Sequence, residues 1–307
     1  MYFKNYWNSI GLIFKPNKKL YWMKSHCWVP FVEIINKNLV KVFFSSRDRN
    51  NFSRTGHFFF NPERPFDKKK IGKTPDVDLG KLGTFDDSAA VSTCIVNYKS
   101  NKYLYYVGWM QGKRVRYYPS IGLSICKKGK SKFKKNSIAP LISKNTSEPY
   151  GLASPFVLYD RKEKIWKMWY SSYRSWQLRK KIPYPNYEIR FATSRNGIDW
   201  IFKNKKILGS KKLEAVARPF VIKENNLYKM WYCSRKKNSK YKINYAESKN
   251  GYNWVNKEFK LKLSKEKYDN KMQAYPCYFK LKGKEYLLYN GNDYGKDGIL
   301  LAVKDRG

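Results

Sequence analysis

One pattern returns five times along this chain of 307 residues. Nothing else in the sequence limits its fold as strongly, because a fixed period means stacked or radial units. Each copy is a short apolar strand, a polar turn, then an aromatic-rich strand. The copies are Val29–Val32 with Lys41–Ser46, Ser92–Val96 with Tyr103–Gly108, Ser154–Leu158 with Trp166–Ser171, Arg218–Ile222 with Tyr228–Cys233, and Tyr275–Phe279 with Glu285–Asn290. Anchored on Pro30, Thr93, Pro155, Pro219 and Pro276, the spacings are 63, 62, 64 and 57.

A third strand follows in each copy, as in Glu188–Thr193 and Lys242–Glu247. Two of these run into near-identical turns, Ser194-Arg195-Asn196-Gly197-Ile198-Asp199-Trp200 and Ser248-Lys249-Asn250-Gly251-Tyr252-Asn253-Trp254. Asn-Gly supplies the positive φ of a tight turn. Tyr, Trp, Val and Ile at these densities favour strands, and no segment keeps a 3.6-residue apolar period. The expectation is an all-β chain, a single five-bladed β-propeller over residues 1–307 with blades beginning near 26, 87, 148, 214 and 271. The last copy runs out of chain after three strands, so an N-terminal strand around Leu12–Phe14 is expected to complete it.

With 18% aromatic and 42% hydrophobic residues, the chain supports a large core, which excludes global disorder. No uncharged apolar run reaches the ~20 residues of a membrane span, and the N-terminus has no secretory apolar stretch. Cys27, Cys94, Cys126, Cys233 and Cys277 are scattered singly, which fits neither a disulfide framework nor a zinc site and suits a cytoplasmic location. No metal or cofactor is expected. Lys and Arg number 64 against 23 Asp and Glu, a net charge of 64 − 23 = +41. Diffuse lysine excess reads as a solvated surface with non-specific attraction to anions, since no base-reading motif accompanies it.

In such an architecture the loops before the first strands and the ends of the second strands converge on one mouth. Before the first strands stand His26, Asp86-Asp87, Glu148, Glu214 and Lys271-Met272. At the second-strand ends stand Arg47-Asp48, Trp109, Tyr173-Arg174, Arg235 and Asn290-Gly291-Asn292. The inventory suits a carbohydrate. Aromatic rings stack on sugars, carboxyl pairs perform acid–base work at glycosidic bonds, and arginines grip phosphate or carboxylate. Asp87, Glu148, Glu214 and His26 are the catalytic candidates. Arg47, Asp48, Trp109, Tyr173, Arg218, Arg235, Asn290 and Asn292 are the substrate-binding candidates. Asp86 is read as a loop brace and His57 as incidental.

The chain resembles the five-bladed propeller superfamily of glycoside hydrolase families 43, 32 and 130 through its proline-bearing strands and S-x-N-G-x-x-W turns. It is similar, more narrowly, to glycosidase-like propellers found among bacterial surface-polysaccharide genes. Ser45-Ser46-Arg47-Asp48, Gly83-Thr84-Phe85-Asp86-Asp87-Ser88, Glu148-Pro149-Tyr150, Ala217-Arg218-Pro219 and Tyr289-Asn290-Gly291-Asn292 carry that likeness. The resemblance implies an enzyme acting on a glycosidic or glycosyl-phosphate bond. In the hydrolases the catalytic acids stand at or just before the residue preceding the strand proline; here those slots hold Val29, Ser154 and Ala217-Arg218. Their roles therefore do not carry over. A hydrolase, a transferase or phosphorylase using a sugar phosphate or nucleotide sugar, and a non-catalytic glycan-binding module stay open. For the charge, duplex DNA binding is expected to be weak and to collapse between low and physiological salt; sequence-selective binding surviving physiological salt in a gel-shift titration would overturn that expectation.

Overall fold

The computed structural model describes residues 5–209 and 215–305. After β1 (Tyr6–Phe14), the first meander comprises β2 (Ser25–Asn36), β3 (Leu39–Arg47), β4 (Ser53–Phe60) and a short β5 (Lys70–Ile71). The second holds β6 (Ala89–Tyr98), β7 (Asn101–Gln111), β8 (Tyr117–Cys126) and β9 (Lys134–Lys135). The third holds β10 (Leu152–Asp160), β11 (Ile165–Arg179), β12 (Ile182–Ser194) and β13 (Ile201–Leu208). The fourth holds β14 (Ala215–Glu224), β15 (Leu227–Arg235), β16 (Lys242–Ser248) and β17 (Val255–Lys257), and β18 (Lys260–Lys262) follows. In the last, β19 (Ala274–Leu281), β20 (Lys284–Asn290) and β21 (Ile299–Lys304) pair in order, with one turn at Asn292–Gly295 between the latter two.

Within every meander the strands pair antiparallel with their sequence neighbours, so the repeat read from the sequence is the structural unit. The first strands also pack on one another: β2 on β6, β6 on β10, β10 on β14, β14 on β19, and β19 back on β2. That circular order puts the starts of five strands, distant in sequence, around one axis. The expected closing strand is present as β1, which pairs antiparallel with β21 through Leu12 opposite Leu300 and Phe14 opposite Ile299. It runs parallel to β18 on its other edge.

Aromatic residues fill the space between meanders. Trp169 is fully buried and meets Phe191, Tyr228 and Trp254 edge-on or tilted. The two Asn-Gly turns lock the third meander to the second and the fourth to the third. Asn196 Oδ1 accepts from the amides of Ile198 and Asp199, which shapes the loop, and Gly197 takes φ 77°. The carbonyl of Gly197 then accepts the Tyr105 hydroxyl at 2.7 Å, and that of Gly251 accepts the Trp169 indole at 2.8 Å.

Removing residues 1–14 would expose the β21 edge and delete the buried Trp7, Ile13 and Phe14. At about 1.5–3 kcal/mol for each large apolar side chain, the loss is comparable to a whole domain's stability of about 5–15 kcal/mol. Thermal denaturation should show a collapse of the melting temperature, and an unchanged melt would contradict this account of closure.

Candidate functional site

Where the first strands begin, a cavity of about 470 Å³ opens among them. Its walls are built by a recurring distortion. Val29, Ser154, Arg218 and Tyr275, each immediately before a proline, have φ of 56°, 49°, 55° and 56°. L-residues seldom occupy this left-handed region, and a β-branched residue such as Val29 does so least readily. At each of these points the pairing with the second strand skips, between Trp28 and Phe31, Ala153 and Phe156, Ala217 and Phe220, and Ala274 and Cys277. These are β-bulges, which re-aim side chains, and all four bulged residues line the cavity. In the second meander Thr93, which precedes no proline, lines it instead, at a milder shift between Ser92 and Cys94.

Three bulged amides are satisfied by side chains from the preceding meander in the circle. Asn290 Oδ1 accepts Val29 N–H at 3.0 Å, Ser171 Oγ accepts Arg218 N–H at 3.3 Å, and Cys233 Sγ accepts Tyr275 N–H at 3.1 Å. Such strain persists only where its surroundings over-determine it.

The lining is cationic and aromatic. Arg47, Arg116, Arg218 and Arg235 border it, together with Trp28, Trp109 and seven tyrosines (117, 173, 184, 187, 241, 275 and 294). Among the described residues no carboxylate and no lysine lines it. The Arg47 guanidinium lies 5.3 Å from the Trp28 ring, and that of Arg235 lies 5.4 Å from the Tyr241 ring. Burial lowers the pKa of Arg47 and of Arg218, though both stay charged at any working pH. Among the described residues no cluster of His, Cys, Asp and Glu has the makings of a metal site.

No family model matches the sequence. The uncharacterized protein Rv1502 of Mycobacterium tuberculosis is 31% identical over 302 residues, covering 97% of this chain and 98% of that one. The chain belongs to the family of Rv1502. Among solved structures, a protein described as a glycoside hydrolase superposes with a TM-score of 0.77 at 15% identity, covering 97% of this chain and 92% of that one. An α-L-arabinofuranosidase from Clostridium thermocellum superposes at 0.59 with 18% identity over 85% and 81% of the two chains. A thermostable family-43 glycoside hydrolase gives 0.63 at 13% identity, over 92% and 93%. The fold is thus shared with the glycoside hydrolases that the strand prolines and Asn-Gly turns resemble.

Of the residues singled out in the sequence, Arg47, Trp109, Tyr173, Arg218 and Arg235 line the cavity. The others are placed elsewhere. Glu148 is wholly buried beneath its own meander, accepting from the hydroxyls of Tyr170 at 2.8 Å and Ser172, with Arg190 at 3.5 Å and Arg174 at 3.7 Å. Asp87 accepts from Ser88 Oγ at 2.7 Å and the Gly83 amide at 3.0 Å, holding its loop. Asp48 takes the amides of Asn50 and Phe52 and an ion pair from Arg54 at 2.5 Å. Asn290 is buried, its amide group also donating to the carbonyls of Cys27 and Gly298 at 2.7 Å. Asn292 bonds the amides of Lys271 and Met272. Glu214 lies outside the described residues. Asp86, read as a brace, accepts from the Tyr106 hydroxyl at 2.8 Å and pairs with Lys135 at 2.6 Å. His57 pairs with Asp76 at 2.6 Å, away from the cavity.

Sequence reasoning missed Trp28, Arg116, Tyr184, Tyr187, Tyr241, Tyr275 and Tyr294. Two signals were available. The residue before each strand proline is a bulge position, and the long β11–β12 hairpin carries Pro183, Tyr184, Pro185 and Tyr187 to the cavity edge.

His26 stands beside this lining, its Nδ1 3.0 Å from Ser25 Oγ. Burial, then the nearby charges of Arg47 and Lys296, lower its pKa to about 4. It is neutral at physiological pH and a poor reservoir for a general-acid proton there. Below its unfolded value of about 6.5 the unfolded chain binds more protons, so His26 removes stability as pH falls from about 6.5 towards 4. The slope is at most about 1.4 kcal/mol per pH unit, reduced by solvent screening. Chemical denaturation of wild type and His26→Asn across that range should show the variant losing less stability; parallel curves would contradict the assignment.

Proposed function

We propose that the chain is a single five-bladed β-propeller over 1–307, with blades beginning near 26, 87, 148, 214 and 271, whose central cavity recognises a carbohydrate. The circular packing of the five first strands supports the blade count, and the shared glycoside hydrolase fold supports the ligand class. The observation that carries the reading is the lining itself. Tryptophan and tyrosine faces converge with arginine donors in a cavity of about 470 Å³, within the ordinary range for small-molecule sites. Aromatic rings present flat apolar surfaces for the C–H faces of a sugar, while tyrosine hydroxyls and guanidinium groups meet its oxygens.

The residues proposed to touch the sugar are Arg47, Trp109, Tyr173, Arg218 and Arg235. Asn290 is proposed as a positioning residue that acts through Val29. The hydrolase reading, with Glu214 or Asp87 as general acid and Glu148 as partner carboxylate or base, finds no support from Asp87 or Glu148, neither of which borders the cavity, because such groups must reach the reacting oxygen; Glu214 lies outside the described residues. Glu148 is better explained as a buried brace. A role in bacterial surface-polysaccharide metabolism, in a cytoplasmic setting, is part of the proposal; among the described residues, no helix is long and apolar enough to cross a membrane.

Calorimetric titration with mono- and oligosaccharides tests the reading. Trp109→Ala and Tyr173→Ala should each weaken binding by about tenfold or more, roughly 1.4 kcal/mol. Glu148→Gln should lower the melting temperature and leave affinity for sugar unchanged, since it loses charge-assisted bonds in the core. Turnover of a glycoside that Glu148→Gln or Glu214→Gln abolishes, with the fold intact, would replace this reading with the hydrolase one.

A further inference from the structure

Arg218 is a cavity arginine held at the junction of three meanders. Its side chain belongs to β14, its Nη2 donates to the Thr93 carbonyl of β6 at 3.3 Å, and its backbone amide is held by Ser171 of β11. Only 3% of the residue is exposed, yet Nε and Nη1 have no hydrogen-bond partner. Among the described residues no carboxylate comes within ion-pair distance of it. Among the described residues, the titratable groups that act on it most strongly are the thiols of Cys94, Cys233 and Cys277 and the phenol of Tyr275. Burial pushes the Cys94 thiol up to about 11 and those of Cys233 and Cys277 up to about 12, so all three are neutral. Native proteins satisfy buried guanidinium groups, because an unmatched buried charge is among the costliest features a fold can hold. Nε and Nη1 flank Nη2, which keeps a second N–H beside its bond to Thr93, so either one together with Nη2 offers half of a bidentate pair on a residue that lines the cavity.

We infer that Arg218 is an oxyanion receptor, and that the sugar taken by this cavity carries a phosphate or carboxylate group that docks on its unpaired guanidinium N–H groups. The inference rests on the carbohydrate reading above and names the class of sugar. The other lining supports it. Arg47 and Arg116 give the approach the same sign, and no described carboxylate of the lining opposes an anion. The described cations of the lining are all arginines in a chain whose basic excess is mostly lysine, and the planar fork suits phosphate or carboxylate better than an ammonium does. Ser154 and Ser171 line the same floor with hydroxyl groups able to complete the shell of an oxyanion.

The test is isothermal titration of the full chain with glucose, glucuronate, glucose 1-phosphate and inorganic phosphate at low millimolar concentration. The expected result is that at least one of the two charged sugars binds about tenfold or more tightly than glucose, and that inorganic phosphate competes with it. Preference for glucose 1-phosphate identifies phosphate as the docking group; preference for glucuronate identifies carboxylate. Arg218→Met should reduce the charged sugars to the level of glucose while melting no lower than wild type, because it removes an unmatched buried charge. Arg218→Lys, which keeps the charge without the fork, should fall between the two. Equal affinity of wild type for glucose and the charged sugars, or no anion bound at all, overturns the inference. So does a preference that survives in Arg218→Met; should that variant not fold, the wild-type preference and the phosphate competition still decide. Glucose binding without preference would leave the carbohydrate reading standing. Phosphate binding abolished in Arg218→Met, with no sugar bound in any arm, would keep the oxyanion receptor and remove the carbohydrate reading.

Discussion

The capture of a strained backbone amide by a side chain of the neighbouring meander is the interaction on which the site depends. Asn290, Ser171 and Cys233 each close the aromatic strand of one repeat and hold the amide of Val29, Arg218 or Tyr275 in the next. Without those acceptors a left-handed residue ahead of a proline would cost on the order of 1–3 kcal/mol with nothing to hold it. With them, the bulge is fixed and the side chain faces the axis. Three repeats therefore each shape a cavity-lining residue of the next, and the cavity is a property of the circle. The three acceptors differ chemically, an amide, a hydroxyl and a thiol, so what recurs is position and reach.

The repeat was legible because its determinants are local. Proline and aromatic residues at a near-constant spacing, and Asn-Gly turns at the ends of third strands, mark strands and loops with little help from the rest of the molecule. The recurrence of acids ahead of the first strands was legible, but not the bond that unites three of them: Asp86 was read as a brace, Glu148 as catalytic, and Asp269 was not singled out. Asp86 and Tyr106, Glu148 and Tyr170, and Asp269 and Tyr289 form one repeated bond, the acid standing 20, 22 and 20 residues ahead of the tyrosine whose hydroxyl it accepts. A carboxylate at that register turns under its own second strand and ties the incoming loop down. Register alone does not reveal this; the paired spacing of acid and tyrosine does, and it would also have found Asp269. The cavity arginines were partly visible, since Arg47 and Arg235 end second strands. Tyr184 and Tyr187 were not, because they reach the cavity from a hairpin whose length breaks the repeat.

The basic excess divides into two populations with different physics. Lysine predominates on the exposed loops, where a hydrated ammonium costs little, and among the described residues it is absent from the cavity lining. Arginine supplies the cavity, stacked on Trp28 and on the tyrosines, because a weakly hydrated planar cation tolerates desolvation against aromatic faces. Net charge thus says little about the site, and the choice between the two cations says more.

The pairing of β1 with β21 ties together the two most distant strands of the chain, Trp7 opposite Lys304. On a ribosome the closing strand is made first and its partner last. At about 5–20 residues per second, some 300 residues separate them by roughly 15–60 seconds. Throughout that interval β1 is an unpaired edge rich in apolar residues, the kind of template that invites pairing with another chain. The edge of β1 that faces β21 thus stays open through most of the synthesis and is covered only when the last strand arrives.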